Sequence, residues 1–287
     1  MTNVLTPGRH EVSINGARLV YHVHGEGSLV VALPGGPGFS HTYLRTPLLE
    51  EKAKVVYVDP IGCGDSARLD DPTAYGRKRD VADLEELRRH LGFDRLALLG
   101  HSSGGFLAQE YALERPARVE RLVLVDTSPT NGPEFGASLD YELKARSTKA
   151  WFPTADAALK GMFTRQLTDD EARALASDLW PLYAYDHDAN PSLAARLSEI
   201  AHFNVIRFQK APPVKFDFRG RLRSLEIPTL IIVGARDFIC APALSKSLHA
   251  AIPGSKLVIM ERSGHMPHLE EPALFASTVA SFLNGSR

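Results

Sequence analysis

The feature that most constrains the fold is a succession of short apolar runs that alternate with helical patterns along most of the chain. Seven runs, several of them rich in β-branched residues, are bounded by turn-forming residues: 19–23, 29–33, 55–58, 96–99, 122–125, 230–233 and 257–259. Their apolarity is continuous, which is typical of strands buried on both faces of a parallel sheet. Helical three- and four-residue spacing follows in 79–91, 106–115, 241–251 and 272–283. The pattern predicts an α/β fold with a mostly parallel central sheet flanked by helices.

This alternation stops between residues 128 and 215. The segment has helical patterns interrupted by prolines, and it contains both tryptophans of the chain, Trp151 and Trp180. A stretch this long with helical content is more than a loop. We therefore expect residues 1–127 and 216–287 to form one core, and residues 128–215 to form a helical cap inserted into it.

Composition excludes several classes of protein. The 287 residues carry 33 basic and 34 acidic side chains, a formal net charge of -1, so a nucleic-acid partner is not expected. Two cysteines cannot build a disulfide framework, and the first residues lack the pattern of a signal peptide. No apolar run has the roughly 18 residues of a membrane-spanning helix. These features predict a cytoplasmic protein without a membrane partner, and they leave its oligomeric state open.

A candidate nucleophile follows the apolar run at 96–99. Gly100-His101-Ser102-Ser103-Gly104 is a G-x-S-x-G sequence between a predicted strand and a predicted helix, which is the setting of a nucleophile elbow. The sharp turn exposes the central serine at the carboxyl end of the sheet. Ser102 is the predicted nucleophile, whereas Ser103 lies one position from the centre and can simply cap the helix.

A serine nucleophile needs an imidazole base and a carboxylate that orients it. The elbow predicts the chain order Ser, acid, His. Asp237 follows the run at 230–233, and His265 follows the run at 257–259. Both therefore occupy loops at carboxyl ends of strands, where open α/β sheets bind their ligands. We predict Asp237 and His265 as the other two members of a triad, with His268 as the competing base.

An acyl-transfer site also needs donors for the oxyanion. Leu33-Pro34-Gly35-Gly36-Pro37-Gly38 follows the run at 29–33, where the second donor of an elbow hydrolase is expected. We assign the amides of Gly36 and Ser103 to the oxyanion hole.

Together these residues resemble the α/β-hydrolase superfamily over nearly the whole chain. Within it, two segments resemble the proline iminopeptidase family: Gly35-Gly36-Pro37-Gly38 with Ser40, His41, Tyr43 and Leu44 behind it, and the turn from Asp59 to Ser66. The sequence departs from that family's pattern at Pro34, Pro60 and Ser103. The resemblance implies a helical cap that gathers the free amino end of a substrate.

An aminopeptidase needs an acidic group for the substrate's ammonium, because a buried unpaired cation is costly. Glu199 is the first candidate, with Asp186 and Asp188 as alternatives. Gly35, Trp151 and Trp180 complete the predicted substrate contacts.

The leading expectation is a serine hydrolase, independent of cofactors and metals, that releases an N-terminal aminoacyl group from a short peptide or small molecule, carrier-bound ones included. The alternative within the same chemistry is an esterase, lactonase or thioesterase for hydrophobic acyl groups. A third hypothesis is a small-molecule receptor whose cap closes on its ligand without turnover.

Overall fold

The computed structural model describes residues 4–210 and 214–285, which contain an eight-stranded, mostly parallel sheet. The strands are β1 (Gly8–Ile14), β2 (Ala17–His24), β3 (Leu29–Leu33), β4 (Lys54–Asp59), β5 (Leu96–His101), β6 (Val119–Val125), β7 (Thr229–Gly234) and β8 (Lys256–Met260). Their order is β1-β2-β4-β3-β5-β6-β7-β8. Strand β2 is antiparallel to both neighbours, and the ladders from β4 to β8 are parallel. The predicted fold class is confirmed.

Helices cover both faces of this sheet. They are α1 (Pro47–Glu50), α2 (Arg77–Leu91), α3 (Ser103–Glu114), α4 (Pro133–Arg146), α5 (Phe152–Thr164), α6 (Asp169–Tyr183), α7 (Ser192–Ile200), α8 (Val205–Lys210), α9 (Arg219–Leu222), α10 (Pro242–Ala251), α11 (Pro267–Glu270) and α12 (Pro272–Asn284). Five of them begin with proline, whose missing N–H is an orphan at that position in any case. Helix α6 begins with a capping box, in which Thr168 and Glu171 bond each other's backbone amides.

Alternate residues of the strands belong to two hydrophobic cores, one on each face of the sheet. In β3, Val30 and Ala32 pack on the face covered by α12 and the inserted helices, whereas Val31 and Leu33 pack on the face covered by α2 and α3. Both sets are almost fully buried. Burial on both faces explains why these strands read as continuous apolar runs. Strand β1 behaves differently, because its residues alternate between exposed and partly buried, and the sequence analysis did not identify it.

The segment between β6 and β7 is helical, as the sequence pattern predicts. Helices α4 to α8 lie within it, and α5 packs closely on α6. The exact division into core and cap at residues 128 and 215 remains a prediction. Within the described residues, no helix is long and apolar enough to cross a membrane.

A buried ion pair ties these inserted helices to the core. Arg207 of α8 donates from Nη2 to Asp80 of α2 over 2.6 Å and from Nη1 to the carbonyl of Ile61 over 2.6 Å. Both side chains of the pair are almost excluded from solvent. Nearby Asp80 raises the pKa of Arg207 further, although burial alone would lower it.

We predict that Arg207→Met destabilises the protein by about 3 kcal/mol, because it leaves Asp80 buried without its partner. Urea unfolding measures this loss. The control is Arg173→Met, which breaks the exposed pair with Asp170 and should cost less than about 1 kcal/mol. Equal losses for the two variants would contradict the structural role of the buried pair.

Candidate active site

The predicted nucleophile lies on a sharp turn between β5 and α3. Ser102 has φ of 52° and ψ of −119°, a backbone conformation that most side chains avoid. Its N–H donates to Val125 O over 2.9 Å, and its carbonyl accepts from Thr127 Oγ1 over 2.9 Å. Tertiary hydrogen bonds to β6 and to the residues after it therefore stabilise the strained turn.

The predicted base and acid are hydrogen-bonded to each other. His265 Nδ1 lies 2.8 Å from Asp237 Oδ2, and both side chains are buried. Asp237 Oδ1 accepts the amides of Ile239 and Cys240 over 2.8 and 3.0 Å. Burial alone would raise the pKa of Asp237, but His265 and these two amides outweigh it and lower the pKa below its usual value. Asp237 is therefore a carboxylate that holds Nδ1–H of His265 and leaves Nε2 as the acceptor.

Ser102 and His265 line the same cavity. Among the described residues, no hydrogen bond joins Ser102 Oγ to the His265 ring. Such contacts are often long in unliganded sites and tighten when substrate binds. The His265 ring, the predicted base, therefore lines the same cavity as the predicted nucleophile.

The predicted oxyanion donors belong to two elements, the turn after β3 and the start of α3. Gly36 lines the cavity, and its φ of 116° lies in a region that favours glycine. Ser103 is the first residue of α3, so its N–H has no acceptor within the helix. Within residues 4–210 and 214–285 neither amide donates a hydrogen bond, which leaves both available to an oxyanion.

Asp126 is a second buried carboxyl group that the sequence analysis missed. It follows β6 directly, and its Oδ1 accepts the amide of Gly234 over 2.9 Å. Burial and the neighbouring charge of Asp237 raise the pKa of Asp126 well above its usual value. Of this carboxyl pair, Asp126 is therefore the member whose pKa is raised and Asp237 the member whose pKa is lowered. The signal that identified Asp237, an aspartate at the carboxyl end of a strand, also applies to Asp126.

Glu270 supports the loop that carries His265. Its two carboxylate oxygens accept the amides of Gly264 and Tyr185 over 2.6 and 2.7 Å. Burial raises the pKa of Glu270 to about 7. The carboxyl group therefore joins the catalytic loop to the residues after α6.

His268, the competing base, has a different environment. Its Nε2 lies 3.1 Å from the carbonyl of Tyr43, and it does not line the cavity that contains Ser102. Burial lowers the pKa of His268 to about 3. Because a carbonyl only accepts, Nε2 carries the proton, and His268 is a neutral structural donor.

The cavity above Ser102 has a volume of about 280 Å³. Most of its lining side chains are apolar, including seven phenylalanines and Trp180. The polar side chains at its surface are Tyr43, His101, Ser102, Tyr183 and His265. No aspartate, glutamate, lysine or arginine lines it among the described residues.

Three of the four predicted substrate contacts do not line this cavity. Glu199 is exposed on α7 and does not line the cavity. Trp151 lies outside it as well, with its Nε1 donating to Asp188 over 3.0 Å. Gly35 packs against Ser102, and a Cβ at Gly35 would lie only 2.9 Å from Ser102 Cβ. Of these four residues, Trp180 lines the cavity, and its contact with substrate remains a prediction.

Among the residues that the structure describes, two groups of side chains have metal-ligand composition. One of them, His101 with Asp126 and His265, belongs to the site just described. The other is His22 with His41 and Asp59, in which the two rings stack 3.9 Å apart at an interplanar angle of 24°. A shared ion would have to lie close to both ring planes, and nearly parallel planes do not meet within coordination distance. This second group fits a hydrogen-bonded anchor for the turn after β3, because Asp59 Oδ1 accepts both N–H and Nδ1–H of His41 over 2.8 Å.

Comparisons with known proteins agree with the fold of this chain. The family model described as alpha/beta hydrolase fold matches residues 28–272. Proline iminopeptidase from Clostridium botulinum is 29% identical over 281 residues, covering 93% of both chains. Proline iminopeptidase from Pestalotiopsis fici is 29% identical over 280 residues, covering 95% of this chain and 98% of the other. A solved alpha/beta fold family hydrolase from Bacillus anthracis has a TM-score of 0.77 at 20% identity, covering 96% and 98%.

We predict that His268 makes the protein less stable in acid. The folded-state pKa of about 3 lies below the unfolded value of about 6.5, so the unfolded chain takes up the proton first. Stability from this group is present above pH 6.5 and falls by up to about 1.4 kcal/mol per unit as the pH drops toward 3. His268→Gln retains an N–H donor and should flatten this dependence in urea unfolding at pH 7, 6 and 5.

The matched control is His202→Gln, whose side chain is exposed. It should leave the pH dependence unchanged, because that side chain is solvated in both states. A constant difference between wild type and His268→Gln across this range would contradict the assignment of a buried neutral imidazole.

Proposed function

The chain belongs to the α/β-hydrolase fold family, and we propose that it is a serine hydrolase with Ser102, His265 and Asp237 as its catalytic triad. The hydrogen bond from His265 to Asp237, the strained turn at Ser102 and the shared cavity support this assignment.

The proposed reaction follows from this arrangement. His265 Nε2 takes the proton of Ser102 Oγ as that oxygen attacks the substrate carbonyl carbon. The Gly36 and Ser103 amides donate to the oxyanion that forms. When the bond to the leaving group breaks, His265 returns the proton to that group. Water then attacks the acyl-enzyme in the same way, releasing the acid and restoring Ser102.

We propose that the substrate has an uncharged, hydrophobic acyl group, as in a carboxylic ester, lactone or thioester. The observation that carries this proposal is the absence of any charged side chain from the described lining of the cavity. A substrate ammonium would lose its water there and gain no carboxylate, which costs several kcal/mol. An aliphatic or aromatic acyl group loses nothing comparable and buries apolar surface against the phenylalanines.

A second candidate is release of an N-terminal aminoacyl group. Two curated relatives named proline iminopeptidase, matched over nearly their full length, favour it. Glu199 does not line the cavity. This function would therefore require the substrate's amino group either to remain at the solvent-exposed entrance as an ammonium or to bind in its unprotonated form.

Two acyl groups of equal shape separate these candidates. We predict that the 4-nitroanilide and the 4-nitrophenyl ester of cyclopentanecarboxylic acid are cleaved at pH 7 with at least about 100-fold higher kcat/KM than the corresponding L-prolyl compounds. The pairs differ only in the ring ammonium, and a penalty of about 3 kcal/mol corresponds to that ratio. Faster cleavage of the prolyl compounds would instead establish the aminopeptidase.

Ser102→Ala is the control for the chemistry in both cases. A fluorophosphonate probe should label the wild type rapidly and this variant not at all. Poor labelling of the wild type would favour the receptor hypothesis over any hydrolase.

Substitution of each buried aspartate by asparagine should affect kcat differently. We predict that Asp237→Asn lowers kcat by about 10³- to 10⁴-fold, because the amide no longer holds His265 in the required tautomer. Asp126→Asn should change kcat by less than about threefold, since an amide replaces a neutral carboxyl of the same shape and still accepts from Gly234. Steady-state kinetics on the preferred ester decides this, and comparable losses in the two variants would refute the assigned charge states.

A further inference from the structure

A chain of hydrogen bonds links the Gly35-Gly36 turn to the loop that carries His265. The amide of Gly35 donates to Tyr43 Oη over 2.6 Å, and that oxygen lies 2.8 Å from His101 Nδ1. His101 Nε2 lies 2.9 Å from the backbone carbonyl of His265. Tyr43, His101 and His265 are each no more than 2% exposed. This buried series of hydrogen bonds therefore connects the peptide next to one proposed oxyanion donor with the backbone of the proposed base, His265.

The direction of each bond follows from its partner. The carbonyl of His265 can only accept, so His101 Nε2 carries a proton. Burial lowers the pKa of His101 well below its usual value, and nearby His265 and His268 lower it further, so the ring is neutral. Nδ1 is then an acceptor, and the Tyr43 hydroxyl donates to it while accepting from the Gly35 amide. A single arrangement satisfies all of these groups.

Gly35 also packs closely against the side chains of Tyr43 and His101. A Cβ at Gly35 would lie 3.1 Å from both Tyr43 Oη and His101 Nδ1, as well as 2.9 Å from Ser102 Cβ. The ring of Tyr43 is further held by Phe39 and His268, at centroid distances of 5.3 and 5.8 Å. The hydroxyl therefore has little freedom to move, and neither has the Gly35 peptide that it holds.

We propose that Tyr43 and His101 are positioning residues that fix the Gly36 amide relative to Ser102 and His265. This inference rests on the proposed function, because it assigns a role in stabilising the oxyanion. Gly36 follows Gly35 directly, so the anchored Gly35 amide sets the orientation of the next peptide. Oxyanion donors act through their preset position, and a displaced donor loses stabilisation of the transition state more than binding of the substrate.

Tyr43→Phe tests this with the loss of one oxygen atom and an unchanged ring. We expect kcat on the preferred ester to fall about 10- to 100-fold with KM within about threefold, because the lost interaction is specific to the transition state. The affinity of a boronic acid, which forms a tetrahedral adduct on serine, should fall in the same proportion. Binding of the carboxylic acid product should be unchanged.

Tyr57→Phe is the matched control. Tyr57 is equally buried and its hydroxyl accepts the amide of Thr46 over 3.1 Å, but it does not line the catalytic cavity. Urea unfolding should show losses of similar size in both variants, whereas only Tyr43→Phe should lower kcat and boronate affinity.

Three outcomes would overturn the inference. Equal kcat values for Tyr43→Phe and Tyr57→Phe would do so, as would a fall in kcat without loss of boronate affinity. A wild type with no Ser102-dependent ester turnover would overturn the proposed function itself, and the role assigned to Tyr43 and His101 with it.

Discussion

The site depends on the close approach of α3 to the carboxyl ends of β3 and β5. Glycine permits it, because a Cβ at Gly104 would lie 2.2 Å from Leu33 O and one at Gly100 would lie 2.4 Å from Gly104 O. This contact forces the turn that places Ser102 at positive φ. It also brings the first amide of α3 beside the turn after β3, so that two donors from separate elements meet. The same short stretch of backbone therefore positions both the proposed nucleophile and the proposed oxyanion donors.

Around this contact, the titratable groups are shifted in different directions. Burial and the charge of Asp237 raise the pKa of Asp126, burial lowers the pKa of His101, and the pKa of Asp237 next to His265 is lowered. In the proposed mechanism, the imidazolium that forms when His265 takes the serine proton has the carboxylate of Asp237 already in hydrogen-bond contact. Because little water reaches these groups, that attraction is stronger than it would be at the surface. A second ionised carboxyl would repel the first and weaken its preset orientation.

Residues that follow local rules were predictable, and residues defined by distant partners were not. Continuous apolarity identified β2 to β8, whereas β1 is half exposed and lacks that pattern. Ser102, Asp237 and His265 were predicted because each follows a recognisable strand. The tertiary environments of Tyr43 and His101 depend on contacts with partners 58 and 164 residues apart in sequence, which no local pattern contains. Glu199 was selected as the first acidic candidate for a substrate ammonium, but its side chain is exposed and does not line the cavity.

Chemistry and selectivity come from different parts of the chain. The proposed triad and both proposed oxyanion donors lie in the turns and loops that follow strands or at the start of α3. Most of the apolar lining comes from the helices between β6 and β7, among them Leu139, Met162, Trp180 and Phe208. Substitutions on these helices alter the shape of the acyl pocket without displacing the sheet. If the proposed function is correct, the acyl group is selected mainly by the segment whose sequence is least regular. Family resemblance in the core loops therefore does not determine the substrate.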